Sequence, residues 1–299
     1  MTVKQENLIL ALIGSDSNGL NPIEVHKLLF MLGRKDPSAD IYEFMPYKMG
    51  CYSPTLSHDL RKLEAKGYLK YTEDSHGKPL WRLTAAGEAR NFVSRMSARR
   101  VLQFRRIYPL RGIDLVFDVY KRFPYWAINS TISDLVLRDN PEVIDEIKRA
   151  RPGQLVALAS IGYEGRSVEN YFNSLIKAGI SVLCDVRKNP ISRKYGFSRS
   201  TLERLCAGCH IEYRHYPQLG IPSWERKDLN CQDDYDSLFA RYEEEVLPAV
   251  KRELDEISLL VKQGKGVALT CFEANPAQCH RTRILNTIVG LTGIDCELI

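Results

Sequence analysis

The sequence predicts an α/β protein: an open, mainly parallel sheet with helices on both faces in the C-terminal half, preceded by a small α+β domain and a helical bridge. Three observations carry that expectation. From residue 154 onward, short apolar runs alternate strictly with helical patterns, which is the signature of a parallel sheet. The first part of the chain instead runs helix, helix, helix, hairpin. Between the two, residues 93–153 read as helices, and Pro152-Gly153 punctuates their end. The expected divisions are therefore 1–92, 93–153 and 154–299.

In the first division, residues 8–13 form an apolar helical segment, and Asn21-Pro22 supply an N-cap and a first-turn proline for a second helix with Val25, Leu28, Leu29 and Leu32 inward. After an extended stretch over 42–47, Ser53-Pro54 repeat the start signal. Leu56, Leu60 and Leu63 then fall on one helical stripe, which leaves Thr55, Ser57, His58, Arg61 and Lys62 on the other faces. Gly67 ends that helix. Residues 68–71 and 80–83 read as paired strands around a turn, Ser75-His76-Gly77-Lys78, that carries a cation. Gly50-Cys51-Tyr52-Ser53-Pro54, Gly67-Tyr68-Leu69 and the closing Leu83-Thr84-Ala85-Ala86-Gly87 resemble winged helix-turn-helix transcriptional regulators. The resemblance implies a third helix in the major groove, with base contacts from Thr55, Ser57, His58 and Arg61, and phosphate contacts from Lys62 and Lys78.

The bridge carries arginine-rich spots at Arg99-Arg100, Arg105-Arg106 and Arg149/Arg151, and an aromatic cluster read as core. In the last division, strands are expected over 155–161, 181–185, 212–216 and 267–271, with a final segment at 295–298. Helices fall over 168–178, 198–206, 235–261 and 280–291. Ligands of such sheets gather outside the carboxyl ends of the strands, and the unusual residues lie there. Gly162-Tyr163-Glu164-Gly165-Arg166-Ser167 offers glycines for close backbone approach and a serine cap. Asp185-Val186-Arg187 sets a carboxylate beside a guanidinium, followed by Lys188, Arg193 and Lys194. Tyr213-Arg214-His215 leads to Leu219-Gly220. Cys271-Phe272-Glu273 is followed by Cys279-His280-Arg281 at a helix start, where a thiol pKa falls and an anion binds. Taken in order with Ser160-Ile161-Gly162, these segments resemble the uncharacterised family catalogued as domain of unknown function 488, over about residues 155–299. The resemblance implies a fold; it implies no activity.

Three chemistries follow from the residue types. A hydrolase of nucleotides or nucleic acids would use Asp185 or Glu273 as base or metal ligand, with Arg187, Arg193 and Arg281 on phosphate. A thiol enzyme would use Cys271 or Cys279, in faint resemblance to sulfurtransferases of the rhodanese type, but the arginine expected about six residues after the cysteine is replaced by Ala277. The third chemistry, adopted here, is a sensing or processing pocket for a phosphate-bearing ligand, attached to a DNA-binding module. The candidate catalytic residues, should the unit turn its ligand over, are Asp185, Glu273, Cys279 and His280. Its candidate ligand contacts are Gly162, Tyr163, Arg166, Arg187, Arg193, His215, Cys271 and Arg281. Arg187 and Arg281 are expected to share one anion site, because both loops leave the same sheet edge.

No metal set and no cofactor is assigned. Cys206-Ala207-Gly208-Cys209-His210 has haem-attachment spacing without an export signal, and nothing brings Cys206 and Cys209 to Cys279 and His280 for a zinc site. Cys184 reads as core packing. The chain of 299 residues is 44% hydrophobic and 26% charged, which excludes a collagen-like or disordered chain, and its apolar runs are too short to span a membrane. Its net charge of +5 is uneven, with +4 in residues 1–100, +2 in 101–153 and −1 in 154–299, which points to nucleic acid in the first part. The expected partners are DNA, a phosphate-bearing small molecule or nucleic acid, and a second copy of the chain. The absence of a secretory start and the eight cysteines predict free thiols in a cytoplasmic protein.

Overall fold

The computed structural model describes residues 1–39, 41–93, 95–227 and 229–299. They divide into two compact units, Met1–Arg151 and Pro152–Ile299. No helix among the described residues is long and apolar enough to cross a membrane.

In the first unit, side-chain caps set the helix starts. α1 (Val3–Gly14) opens on Thr2, which forms a capping box with Gln5, and α2 (Pro22–Lys35) opens on Asn21, which forms one with Glu24. α3 (Pro54–Ala65) opens on Ser53, whose hydroxyl accepts from the Leu56 N–H. Between α2 and α3, β1 (Met45–Tyr47) and β2 (Gly50–Tyr52) form an antiparallel hairpin. The sequence reading has only an extended stretch here, because each strand is three residues long, too short for alternation to register. β3 (Leu69–Glu73) and β4 (Pro79–Leu83) form the expected hairpin, with Lys70 opposite Arg82. Leu56, Leu60 and Leu63 are buried as the stripe predicts.

Thr84 and Gly87 explain the Leu-Thr-x-x-Gly segment. The Thr84 hydroxyl donates to the Gly67 carbonyl and accepts from the Gly87 N–H. A Cβ on Gly87 would lie 2.0 Å from the Tyr68 carbonyl oxygen, so only glycine lets the next helix start against β3. That helix is α4 (Ala85–Val93), followed by α5 (Arg95–Ile107), α6 (Gly112–Arg122), α7 (Ser133–Val136) and α8 (Pro141–Ala150). α4 and α5 pack on α1, and α6 packs on α2. Several arginines of these helices act as staples. Arg105 donates to the carbonyls of Tyr108, Pro109 and Leu110, Arg151 to that of Ile128, and Arg111 to Glu24 and Asp16.

The second unit is a five-stranded, wholly parallel sheet with helices around it. In chain order it contains β5 (Leu158–Gly162), α9 (Val168–Lys177), β6 (Val182–Asp185), α10 (Arg199–Gly208), β7 (Glu212–His215), α11 (Gln232–Arg241), α12 (Lys251–Lys262), β8 (Val267–Cys271), α13 (Arg281–Thr292) and β9 (Cys296–Leu298). The spatial order is β7-β6-β8-β5-β9. β5, β6 and β8 are buried along their whole length, which is why they read as continuous apolar runs. The register sets Gly162 against Cys271 and Asp185 against Thr270, so the carboxyl ends of the three central strands finish within one residue of each other.

One buried titratable group gives the first unit a measurable pH dependence. His26 is buried, and burial pulls its pKa from 6.5 down to about 4, against the Pro22 and Ser53 carbonyls that face its ring nitrogens. The folded pKa lies below the unfolded one, so the unfolded chain takes up the proton first. Stability is complete above about pH 6.5 and is lost as pH falls toward 4, by up to roughly 3 kcal/mol. Urea denaturation read by hydrogen exchange in α2 should show the midpoint falling over that window, and His26→Gln should flatten the decline. Equal slopes in the two proteins would exclude His26 as the source.

Candidate functional site

The site begins with the Asp185 carboxylate at the end of β6. Asp185 is fully buried, and both of its oxygens are occupied. Oδ1 accepts from the Arg187 backbone N–H (3.1 Å) and Nε (2.8 Å), while Oδ2 accepts from Arg187 Nη2 (2.5 Å) and the Tyr213 hydroxyl (2.7 Å). Burial opposes the Arg187 charge, but Asp185 outweighs it and raises the guanidinium's pKa. Burial, reinforced by the Asp185 charge, likewise pushes the Tyr213 phenol up. Arg187 Nη1 reaches the Tyr163 hydroxyl (2.8 Å) and the Phe197 carbonyl (2.9 Å), and the Tyr163 ring stacks on Phe197 at 4.4 Å. The loops after β5 and β6 are thereby tied together.

The loop after β8 is held by a second arginine. A Cβ on Gly162 would lie 2.0 Å from the Glu273 carbonyl oxygen, so glycine at the end of β5 lets this loop cross over it. Arg281, fully buried at the start of α13, donates to that carbonyl (2.8 Å), to Ser160 Oγ (2.8 Å) and to Cys279 Sγ (3.3 Å). The expectation that Arg187 and Arg281 share one anion site meets a different arrangement. Arg187 pairs with its neighbouring carboxylate, and Arg281 is enclosed beneath the loop it supports.

Four reactive side chains meet at this loop. Glu273 Oε2 accepts from Cys271 Sγ at 3.0 Å and from Cys279 Sγ at 3.1 Å, while Oε1 accepts from Arg226 Nη1 at 2.5 Å. His280 Nδ1 lies 3.9 Å from Cys271 Sγ, and its Nε2 lies 3.0 Å from the Val186 carbonyl oxygen, which fixes Nε2 as the donor. The ligand atoms of Cys271, Cys279 and His280 all lie within 4.8 Å of one another. The Cys279 thiol as hydrogen-bond partner, together with the neighbouring His280 ring and the Arg226 guanidinium, holds Cys271 well below the usual thiol value despite burial. Burial and the Cys271 charge push Cys279 up, and burial raises Glu273.

A cleft of about 460 Å³ opens over this edge. Tyr163, Arg187, Arg193, Cys271 and His280 of the sequence candidates line it, joined by Lys188, Lys194 and Arg226. Gly162, Arg166, Asp185, His215, Glu273, Cys279 and Arg281 do not. Arg166 instead binds Ser174 and the Ile299 carbonyl, and His215 Nε2 meets the Arg187 carbonyl at 2.9 Å. Sequence reasoning missed Arg226, which sits in a short turn (Ser223–Arg226) with no periodicity or motif to mark it. It also assigned no metal set, whereas the fold gathers Cys271, Cys279 and His280 and leaves Cys206 and Cys209 buried elsewhere, at the end of α10.

Residues 167–288 match the family model described as "Domain of unknown function DUF488". The matched stretch runs from the cap of α9 into α13 and contains the loops after β6, β7 and β8. It leaves the Ser160-Ile161-Gly162 strand end and the whole first unit outside. No curated protein matches the chain.

In the first unit, the residues proposed for DNA are only partly free to read bases. Arg61 stacks over Tyr71 (4.5 Å) and Trp81 (5.0 Å) and pairs with Glu64. The Ser57 hydroxyl lies 3.2 Å from His26 Nε2, and Thr55 and His58 are half-buried. Lys62 and Lys78 are exposed.

The Asp185 geometry is that of a structural ion pair. Asp185→Asn should leave the Arg187 charge buried without its counterion and cost roughly 3–5 kcal/mol. Hydrogen exchange should show β6 and β7 losing protection while α2 keeps it. Unchanged protection in β6 would restore Asp185 as a candidate for proton transfer.

Proposed function

We propose that the α/β unit binds a phosphate-bearing ligand, a nucleotide or nucleic acid, in the cleft at the carboxyl edge of its sheet, and that the first unit is a winged helix that binds DNA. The observation that carries the ligand reading is the lining of the cleft. Arg187, Lys188, Arg193, Lys194 and Arg226 contribute five cations, and no carboxylate among the described residues lines it. Lys188 and Arg193 are exposed and hold no salt bridge among the described residues. Arg226 Nη2 is buried without a hydrogen-bond partner, a donor that an anion oxygen would satisfy. Ile191, Ile221 and the Tyr163 and Phe272 rings supply apolar surface beside the cations, a composition that suits a base or sugar next to its phosphate.

A hydrolase would have to work without Asp185, whose oxygens are all engaged. Glu273 keeps the raised pKa that proton transfer needs, but it meets the cleft only through Cys271 and Arg226. Ligand sensing therefore accounts for more of the cleft than turnover does. For the first unit, the order of α1, α2, α3 and the β3–β4 hairpin, the exposed Lys62 on α3 and Lys78 on the hairpin turn support the winged-helix reading.

Isothermal titration should detect binding of nucleoside phosphates and of inorganic pyrophosphate, and none of the unphosphorylated nucleoside. Lys188→Ala with Arg193→Ala should weaken binding by about tenfold or more, as expected for two charge-assisted contacts. Binding that is equal with and without phosphate would defeat the reading. Fluorescence anisotropy with duplex DNA should show affinity falling steeply with salt, and the Lys62→Glu/Lys78→Glu pair should weaken it and lower the salt slope by about two. Salt-independent affinity would remove DNA as the partner.

A further inference from the structure

We propose that Cys271, Cys279 and His280, with Glu273 as fourth donor, form a binding site for a zinc-like divalent transition cation. The site goes beyond the anion-binding reading and does not rest on it.

The donors come from two rigid elements, the end of β8 and the turn that opens α13. A tetrahedral zinc ion with bonds of about 2.0–2.3 Å needs donor atoms roughly 3.3–3.8 Å apart. The two sulfurs and a ring nitrogen of His280 already lie within 4.8 Å of one another, with Nδ1 3.9 Å from Cys271 Sγ, and Glu273 Oε2 stands about 3 Å from both sulfurs, so the carboxylate has to turn toward His280 to complete the set. Two thiolates, an imidazole and a carboxylate are a donor set that favours zinc over magnesium or calcium.

The surroundings have the form that metal ligands require. His280 commits Nε2 to the Val186 carbonyl, which turns the lone pair of Nδ1 toward Cys271, and Arg226 holds the far oxygen of Glu273 so that Oε2 faces the sulfurs. Arg281 Nη1 reaches Cys279 Sγ. The two guanidiniums offset the negative charge that two thiolates and a carboxylate would leave around a dication. Because Cys271 and His280 also line the cleft, a cation held there stands at its floor.

The test is a cobalt(II) titration of the full chain after chelator treatment under reducing conditions. One equivalent should produce thiolate-to-cobalt charge-transfer absorption, and zinc should abolish it. Cys279→Ser and His280→Ala should each weaken cobalt binding by at least about tenfold, whereas replacing the exposed Cys231 with alanine should leave it unchanged. Absence of the band at one equivalent, or its loss in the Cys231 variant, would overturn the site. Should the ligand variants fail to fold, X-ray absorption of the zinc-loaded wild-type chain decides. Two sulfurs with two nitrogen or oxygen neighbours support the site, and any other shell refutes it. Phosphate binding is read separately, through Lys188 and Arg193, so either result can fail while the other stands.

Discussion

The second unit depends on a single buried ion pair. Asp185 and Arg187 sit two residues apart at the end of β6, where each would be costly to bury alone. Together with Tyr213, Tyr163 and the Phe197 carbonyl, they satisfy one another and join the loops after β5 and β6 to strand β7. The cleft is the outer face of that joint. Its residues Lys188, Arg193 and Lys194 are held in place because the turn beginning at Arg187 is fixed, and Lys194 adds its own bond to the Tyr163 carbonyl at 2.7 Å.

The two arginines that look equivalent in the sequence have diverged in use. Arg187 lies beneath the cleft and contributes one edge to its lining. Arg281 commits Nε and Nη1 to Ser160, to the backbone of Glu273 and to Cys279, which keeps the β8 loop draped over Gly162, while its Nη2 is buried without a hydrogen-bond partner. This division places Cys271 and His280 in the cleft lining, with Glu273 and Cys279 behind them, under a rim of lysine and arginine.

Local signals in the sequence were legible where one residue decides an outcome. Asn21-Pro22, Ser53 and Ser167 start their helices as read, and the apolar runs of β5, β6 and β8 fall in the buried sheet centre. What could not be read was the effect of tertiary neighbours. Asp185 looks reactive beside Arg187 in the chain, yet Tyr213 from the adjacent strand completes its coordination and closes it off. Arg61, on the polar face of α3, also stacks on Tyr71 and Trp81 of the hairpin, a contact that its own segment does not announce. Arg226 and the meeting of Cys271 with Cys279 and His280 depend on how a turn and a helix start come to lie over the sheet, which no spacing within one segment records.

The strand order also determines how this sheet can be assembled. β5 and β6 are never neighbours; each pairs with β8, which lies between them in space although it is the fourth of the five strands in sequence. Until Val267–Cys271 arrives, Leu158–Gly162 has no partner from the earlier strands, and the β6–β7 pair presents an open apolar edge. Loop closure over that distance makes such a sheet slow to form. During synthesis, the first unit can fold while the second waits for almost its whole length to be made. A chain truncated before β8 would leave β5 and β6, both mostly apolar, without their shared partner, the kind of strand edge that drives intermolecular pairing.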